Sequence, residues 1–150
     1  MLRIIESDID SDDGKLLISE LNQVLIQITG EDGTIHFHKE DTKVENAVFL
    51  IAYLDDIPYG CGALRKISND TAEIKRIYAR KNTIGIGRAI VRRLEERAQK
   101  FGYRYLLLET RVQNTHAIQF YESCGYVHCD SYGVYKGKDN AYCFSKSLMQ

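Results

Sequence analysis

Ala72-Glu73-Ile74-Lys75-Arg76-Ile77-Tyr78-Ala79-Arg80-Lys81-Asn82-Thr83-Ile84-Gly85-Ile86-Gly87-Arg88-Ala89 is the stretch on which the fold turns. Its first half predicts a strand over Thr71–Ala79, with Ala72, Ile74 and Arg76 on one face and Glu73, Lys75, Ile77 and Ala79 on the other. Glu73 and Lys75 on a mostly inward face would be costly if fully buried, so the strand is expected to line a wet cleft. Its second half opens a helix, Ile84–Phe101, whose apolar stripe is Ile86, Ala89, Ile90, Leu94 and Ala98 and whose stop is Gly102. Between them lies a glycine loop, Asn82 to Gly87. Gly85 and Gly87 remove side chains, so backbone can approach a ligand closely, and the helix start adds converging N–H groups and a positive dipole end. Arg80, Lys81, Arg88 and Arg92 gather at that same end, where the dipole disfavours cations; an anionic ligand would account for the placement. A glycine pair alone also suits a helix entrance that needs only tight packing, so the flanks must decide.

Upstream, Leu2–Glu6 reads as a strand, and Leu16, Leu17, Leu21, Val24, Leu25 and Ile28 mark one face of a helix over Gly14–Thr29, stopped by Gly30. Residues 31–45 are polar and poorly patterned, with room for a short helix near Asp41–Glu45. A β-meander follows: Val48–Leu54, a turn at Asp55-Asp56, Pro58–Ile67, a turn at Ser68-Asn69-Asp70, then the Thr71–Ala79 strand. Downstream, Tyr103–Glu109 predicts another core strand, Asn114–Cys124 a short helix, and the chain from Tyr126 two more strands joined near Lys136–Asn140, the last Tyr142–Leu148. With no repeat and no linker, residues 1–150 read as one α+β, or mixed α/β, domain.

The composition excludes several classes. The formal net charge of -1 offers no field of one sign for nucleic acid or a membrane surface. No apolar run is bilayer-length, and Met1–Glu6 lacks the pattern of a signal peptide, so a cytoplasmic location is expected. Cys61, Cys124, Cys129 and Cys143 form no CxxC pair and read as reduced thiols; no metal is expected, because His36 and His38 lie far from them in sequence. A P-loop is absent, and the dinucleotide fingerprint lacks its third glycine.

Three stretches in order then carry a family likeness: Ala72–Ala79, Asn82–Ala89, and Asn114-Thr115-His116-Ala117-Ile118-Gln119-Phe120-Tyr121-Glu122-Ser123-Cys124-Gly125-Tyr126. Together they resemble the GCN5-related N-acetyltransferase (GNAT) family, in its fourth strand, its pyrophosphate loop and the helix after its fifth strand. Asn82 stands where that family prefers glutamine or arginine, and Thr83 where it commonly has glycine. The resemblance implies a twisted, mostly antiparallel sheet of about six to seven strands with about four helices. It also implies acetyl-CoA as co-substrate and a small-molecule or amino-acid amine as acceptor, and it leaves room for a homodimer. Residues 1–46, which shape the acceptor site in that family, match only in layout.

Acetyl transfer from a thioester needs a neutral amine, donors for the developing oxyanion and a proton for the departing thiolate. An alkyl ammonium has a pKa near ~10.4, so a base must take its proton. The resemblance implies Glu73 as that base, with Glu109 on the next strand as substitute, and Tyr121 as the acid. It implies that Ile77, Tyr78 and Ala79 meet the pantetheine arm through backbone groups, that Asn82, Ile84, Gly85, Ile86, Gly87, Arg88 and Ala89 hold the pyrophosphate, and that Asn114 and Tyr121 complete the cofactor site. His36, His38, Tyr132, Tyr135 and Tyr142 are the candidates for an acceptor pocket. A coenzyme-A-binding domain without catalysis, an enzyme acting on a protein or peptide amine, and a domain in which the glycines serve packing alone stay open at this level.

Overall fold

The computed structural model describes residues 1–81 and 85–148. Seven strands form one sheet: β1 (Leu2–Glu6), β2 (Val48–Leu54), β3 (Ile57–Lys66), β4 (Thr71–Ala79), β5 (Tyr105–Arg111), β6 (Val127–Cys129) and β7 (Ala141–Ser147). Their spatial order is β1-β2-β3-β4-β5-β7-β6, and only β4 and β5 run parallel. Three α-helices, α1 (Asp12–Thr29), α2 (Ile86–Phe101) and α3 (Thr115–Ser123), complete the described elements with three short 3-10 turns. The expectation of about four helices is corrected here: the polar stretch after α1 yields 3-10 turns at Thr34–His36 and Lys39–Thr42, because it has no apolar stripe to bury.

Local chemistry sets the element ends. The Ser11 hydroxyl caps α1 by accepting from the Gly14 N–H at 3.1 Å, which starts the helix two residues before the predicted Gly14. Gly30 closes it with φ +81°, its N–H donating to the Ile26 carbonyl. Asp55 and Asp56 both have positive φ, as a two-residue hairpin turn between β2 and β3 requires.

The period-2 alternation of β2 divides the core. Val48, Leu50 and Ala52 face the α2 layer with Ile90, Leu94, Leu106, Leu108 and Phe144. Phe49 and Ile51 face the α1 layer with Leu17, Cys61 and Ala63. A fully polar substitution at any of these would strand a polar group in the core.

The β4 alternation holds only to Lys75. Ala63 pairs with Lys75 but Cys61 with Tyr78, so β4 carries one extra residue there, and Arg76 sits at φ +58°. This β-bulge reverses the faces beyond it. Ile77 and Ala79 therefore join Ala72 and Ile74 on the α2 side, while Arg76 and Tyr78 join the α1 side. The predicted grouping of Arg76 with Ala72 and Ile74 is corrected by this extra residue.

Candidate active site

β4 and β5 pair only through Thr71–Glu73 and Tyr105–Leu107. Past that point β4 continues to Ala79 and β5 to Arg111 with no ladder between them, and the sheet is split. A cavity of about 940 Å³ fills the split. Its walls are both strands, the α1 face Leu21, Val24, Leu25 and Ile28, the start of α2 at Gly85, Gly87 and Arg88, and α3 at Asn114, Ala117, Phe120 and Tyr121.

The bulge shapes this cavity. Residues 77–79 hold β3 on one side through Cys61 and Gly60, and alternate N–H and C=O groups are left on the side of the split. A buried arginine tethers the bulge. The Arg76 guanidinium donates to the Asn22 side-chain oxygen and to the Asp32 carbonyl, and it lies over the Phe37 ring. A non-glycine residue at positive φ costs free energy, and these contacts offset it.

At the start of α2, Gly85 has φ +78°, a conformation that side chains disfavour, and no side chain among the described residues caps the helix. The first helical bond runs from the Ala89 N–H to the Gly85 carbonyl, so the Ala89 amide is occupied. The amides of Ile86, Gly87 and Arg88 have no backbone acceptor among the described residues and form the anion-ready end. Ile86 has a buried side chain, and only its backbone can contribute. A Cβ on Gly87 would stand 3.4 Å from the Phe120 ring, so glycine keeps this wall open. The Arg88 guanidinium reaches the Ser123 hydroxyl at 2.8 Å, tying α2 to α3, and Arg80 makes a two-point ion pair with Glu20. Asn82 and Ile84 lie outside the described residues. These features fit a coenzyme A pyrophosphate: glycines that keep the backbone open to a ligand, the first amides of a helix and flanking cations.

Tyr121 is buried on α3 and lines the cavity, and burial pushes its hydroxyl well above the ordinary tyrosine value. The hydroxyl has no hydrogen-bond partner among the described residues, so its proton is available. Asn114 caps α3, its side-chain oxygen accepting from the Ala117 N–H at 3.2 Å, which leaves its amide N–H groups for the cavity.

The two candidate bases stand differently. Glu73 is 1% exposed, and both its oxygens are engaged: Arg65 donates to one at 2.6 Å and the Tyr132 hydroxyl to the other. It is not among the residues lining the cavity. Glu109 does line it, and its Oε2 is buried with no hydrogen-bond donor, the nearest cation being the Arg111 Nε at 3.7 Å. Burial, only partly offset by Arg111 and Lys75, raises the Glu109 carboxyl from 4.5 to about 7.

A second hollow of about 410 Å³ adjoins the first and shares Glu31, His36, Glu109, Arg111 and Tyr135 with it. His36 and Tyr135, two of the candidates for an acceptor pocket, line both hollows with their rings 5.4 Å apart. His38, Tyr132 and Tyr142 line neither; Tyr132 serves Glu73, and Tyr142 stacks on His128. Lys75 is marked by the sequence only as a charge on a cleft-facing strand, not as a site residue. It lines the cavity, donating to the His36 carbonyl at 2.6 Å and to the Tyr135 hydroxyl at 2.9 Å. Strand alternation placed it on a cleft face, and that was the only signal. Among the described residues no helix is long and apolar enough to cross a membrane, and no three metal-binding side chains cluster.

Comparison with known proteins agrees with this geometry. The profile of the Acetyltransferase (GNAT) family matches residues 18–126. The N-acetyltransferase YsnE of Bacillus subtilis (strain 168), itself uncharacterized, is 27% identical over 147 residues, 93% of this chain and 97% of that protein. The IAA acetyltransferase of Azospirillum brasilense is 30% identical over 125 residues, 79% of this chain and 80% of that protein. Among solved structures, a Bacillus anthracis protein in complex with acetyl coenzyme A superposes with TM-score 0.63 at 28% identity, covering 74% of this chain and 68% of that one. With the split sheet, the β4 bulge and the glycine cradle in place, the chain belongs to the GNAT family and is an N-acetyltransferase that uses acetyl-CoA.

Proposed function

We propose that this enzyme moves the acetyl group of acetyl-CoA directly to a primary amine of a small molecule, with Glu109 as general base and Tyr121 as general acid. One observation carries the reading: Glu109 and Tyr121 line one cavity, and among the described residues neither Glu109 Oε2 nor the Tyr121 hydroxyl has a hydrogen-bond partner. A carboxyl near pH 7 is suited to take an ammonium proton at neutral pH, because it is partly ionised yet basic enough to hold the proton. A tyrosine that burial keeps protonated can donate to the departing thiolate. Backbone N–H groups at Ile77 and Tyr78 beside the bulge are the candidates to face the thioester oxygen as it gains charge. Glu109 thus takes the role that the resemblance gave first to Glu73, whose carboxylate is occupied by Arg65 and Tyr132.

Direct transfer needs no nucleophile on the enzyme. Cys61 is buried, and its thiol is pushed up to about 12; Cys124 is half-buried, with its thiol raised by burial, so neither is a ready thiolate. The relative that acts on IAA supports a small-molecule acceptor. The test is free-thiol release from acetyl-CoA over a panel of amines, with wild type, Glu109→Gln and Tyr121→Phe. Turnover by wild type and loss of about 10²-fold or more in each variant is the expected result; undiminished turnover in both would overturn the assignment.

A further inference from the structure

The hydrogen-bonding inventory of the acceptor end defines a complementary ligand. Lys75 is an ammonium with three N–H donors and a side chain only 12% exposed. Two donors go to the His36 carbonyl and the Tyr135 hydroxyl. The nearest carboxylate, Glu73, is 3.9 Å away, too far for a hydrogen bond, and the same oxygen already accepts from Arg65. One Lys75 donor therefore has no hydrogen-bond acceptor among the described residues, on a side chain that lines the cavity. The Tyr135 oxygen accepts from Lys75, and its own O–H has no acceptor among the described residues, so it is a second donor lining the same space. Opposite in kind is Glu109 Oε2, a buried acceptor without a donor. Lys75 and Glu109 are near enough for each to feel the other's charge.

We infer that the acceptor is a primary amine that also carries a carboxylate, an amino acid or a compound built like one, its amine facing Glu109 and its carboxylate facing Lys75 and the Tyr135 hydroxyl. The inference rests on the reading of Glu109 as the base. Charge argues against a polycation. The acceptor end carries Lys75, Arg111 and Lys138 against Glu31, Glu109 and Asp139, but Glu31 is bound to Arg111 at 3.0 Å and Glu109 is partly protonated near pH 7. No array of free carboxylates remains to hold a polyamine, whereas a single anionic group meets a partly desolvated ammonium. The apolar wall Val24, Leu25 and Ile28 leaves space for a hydrophobic side chain beside it.

The test compares free-thiol release from acetyl-CoA for the proteinogenic L-amino acids, their carboxamides, spermidine and kanamycin. The favoured amino acid should exceed its own carboxamide in kcat/KM by at least about tenfold, the size of one charge-assisted hydrogen bond. Lys75→Met should bring that ratio toward one, mainly through the KM for the amino acid with the KM for acetyl-CoA little changed, and Lys75→Arg should recover part of it. Tyr135→Phe, a milder change, should narrow the ratio without unfolding the protein. Carboxamides or spermidine as the better substrates, or a ratio indifferent to Lys75→Met, would overturn the inference and leave acetyl transfer standing. Release with none of the amino acids would also overturn the inference, whereas undiminished turnover of the favoured amino acid by Glu109→Gln would instead sink the reading of Glu109 on which it rests.

Discussion

At the scale of the residue, the proposed chemistry rests on two side chains. Tyr121 has only its hydroxyl to lose in Tyr121→Phe, and the ring keeps its packing against Tyr126 and Phe144. We therefore expect kcat to fall about 10²-fold or more with an unchanged melting temperature, measured by steady-state kinetics beside thermal unfolding. Glu109 makes a second prediction through stability. Its carboxyl is raised from 4.5 to about 7, so the folded state holds the proton more tightly than the unfolded chain does. Its contribution is fully present below pH 4.5 and is lost as pH rises through 7. Glu109→Gln cannot ionise, so it should raise the melting temperature over wild type at pH 8 and do so less at pH 4.5. An equal effect at both would show that Glu109 carries no proton linkage.

Among elements, the bulge and the glycine helix start do the positioning, and they were unequally legible. Gly85 could be read as a helix entrance from its place before an apolar stripe, and it is one. The bulge at Arg76 was not legible, because strict alternation has no symbol for an extra residue. That single residue moved Arg76, Ile77 and Ala79 to faces opposite those predicted. Elsewhere, the stripe read on α2 put Ile86, Ile90, Leu94 and Ala98 on the buried face, because it reports directly on period, with Val91 rather than Ala89 completing that face. Glu109 could be named from its strand but not ranked, because its desolvation depends on where β5 parts from β4. The Asn82 and Ile84 positions of the loop stand as expectations beside the described cradle. Gly85→Ala places a Cβ at φ +78°, which costs about 1–2 kcal/mol. It should weaken acetyl-CoA binding by about 5- to 30-fold in a calorimetric titration; binding at wild-type strength would remove Gly85 from the cradle.

Across the whole molecule, the sheet is one body that the split divides into two functional ends. In the proposed reading the glycine and α3 end is the cofactor end, and the end lined by Lys75, Glu109 and Tyr135 is the acceptor end. Both ends depend on β4, which pairs with β3 along its length and with β5 for three residues only. Acetyl-CoA binding should therefore register in the stability of the entire fold. At 100 times its Kd the gain is ~2.7 kcal/mol, a rise of about 5–10 °C in melting temperature for a domain of this size. The central claim, that Glu109 deprotonates the acceptor, is tested most directly by the pH dependence of kcat/KM for the acceptor. Wild type should gain rate as pH rises through about 7, Glu73→Gln should keep that limb, and Glu109→Gln should lose it together with most of the rate. A limb near pH 7 that survives in Glu109→Gln and vanishes in Glu73→Gln would contradict the assignment.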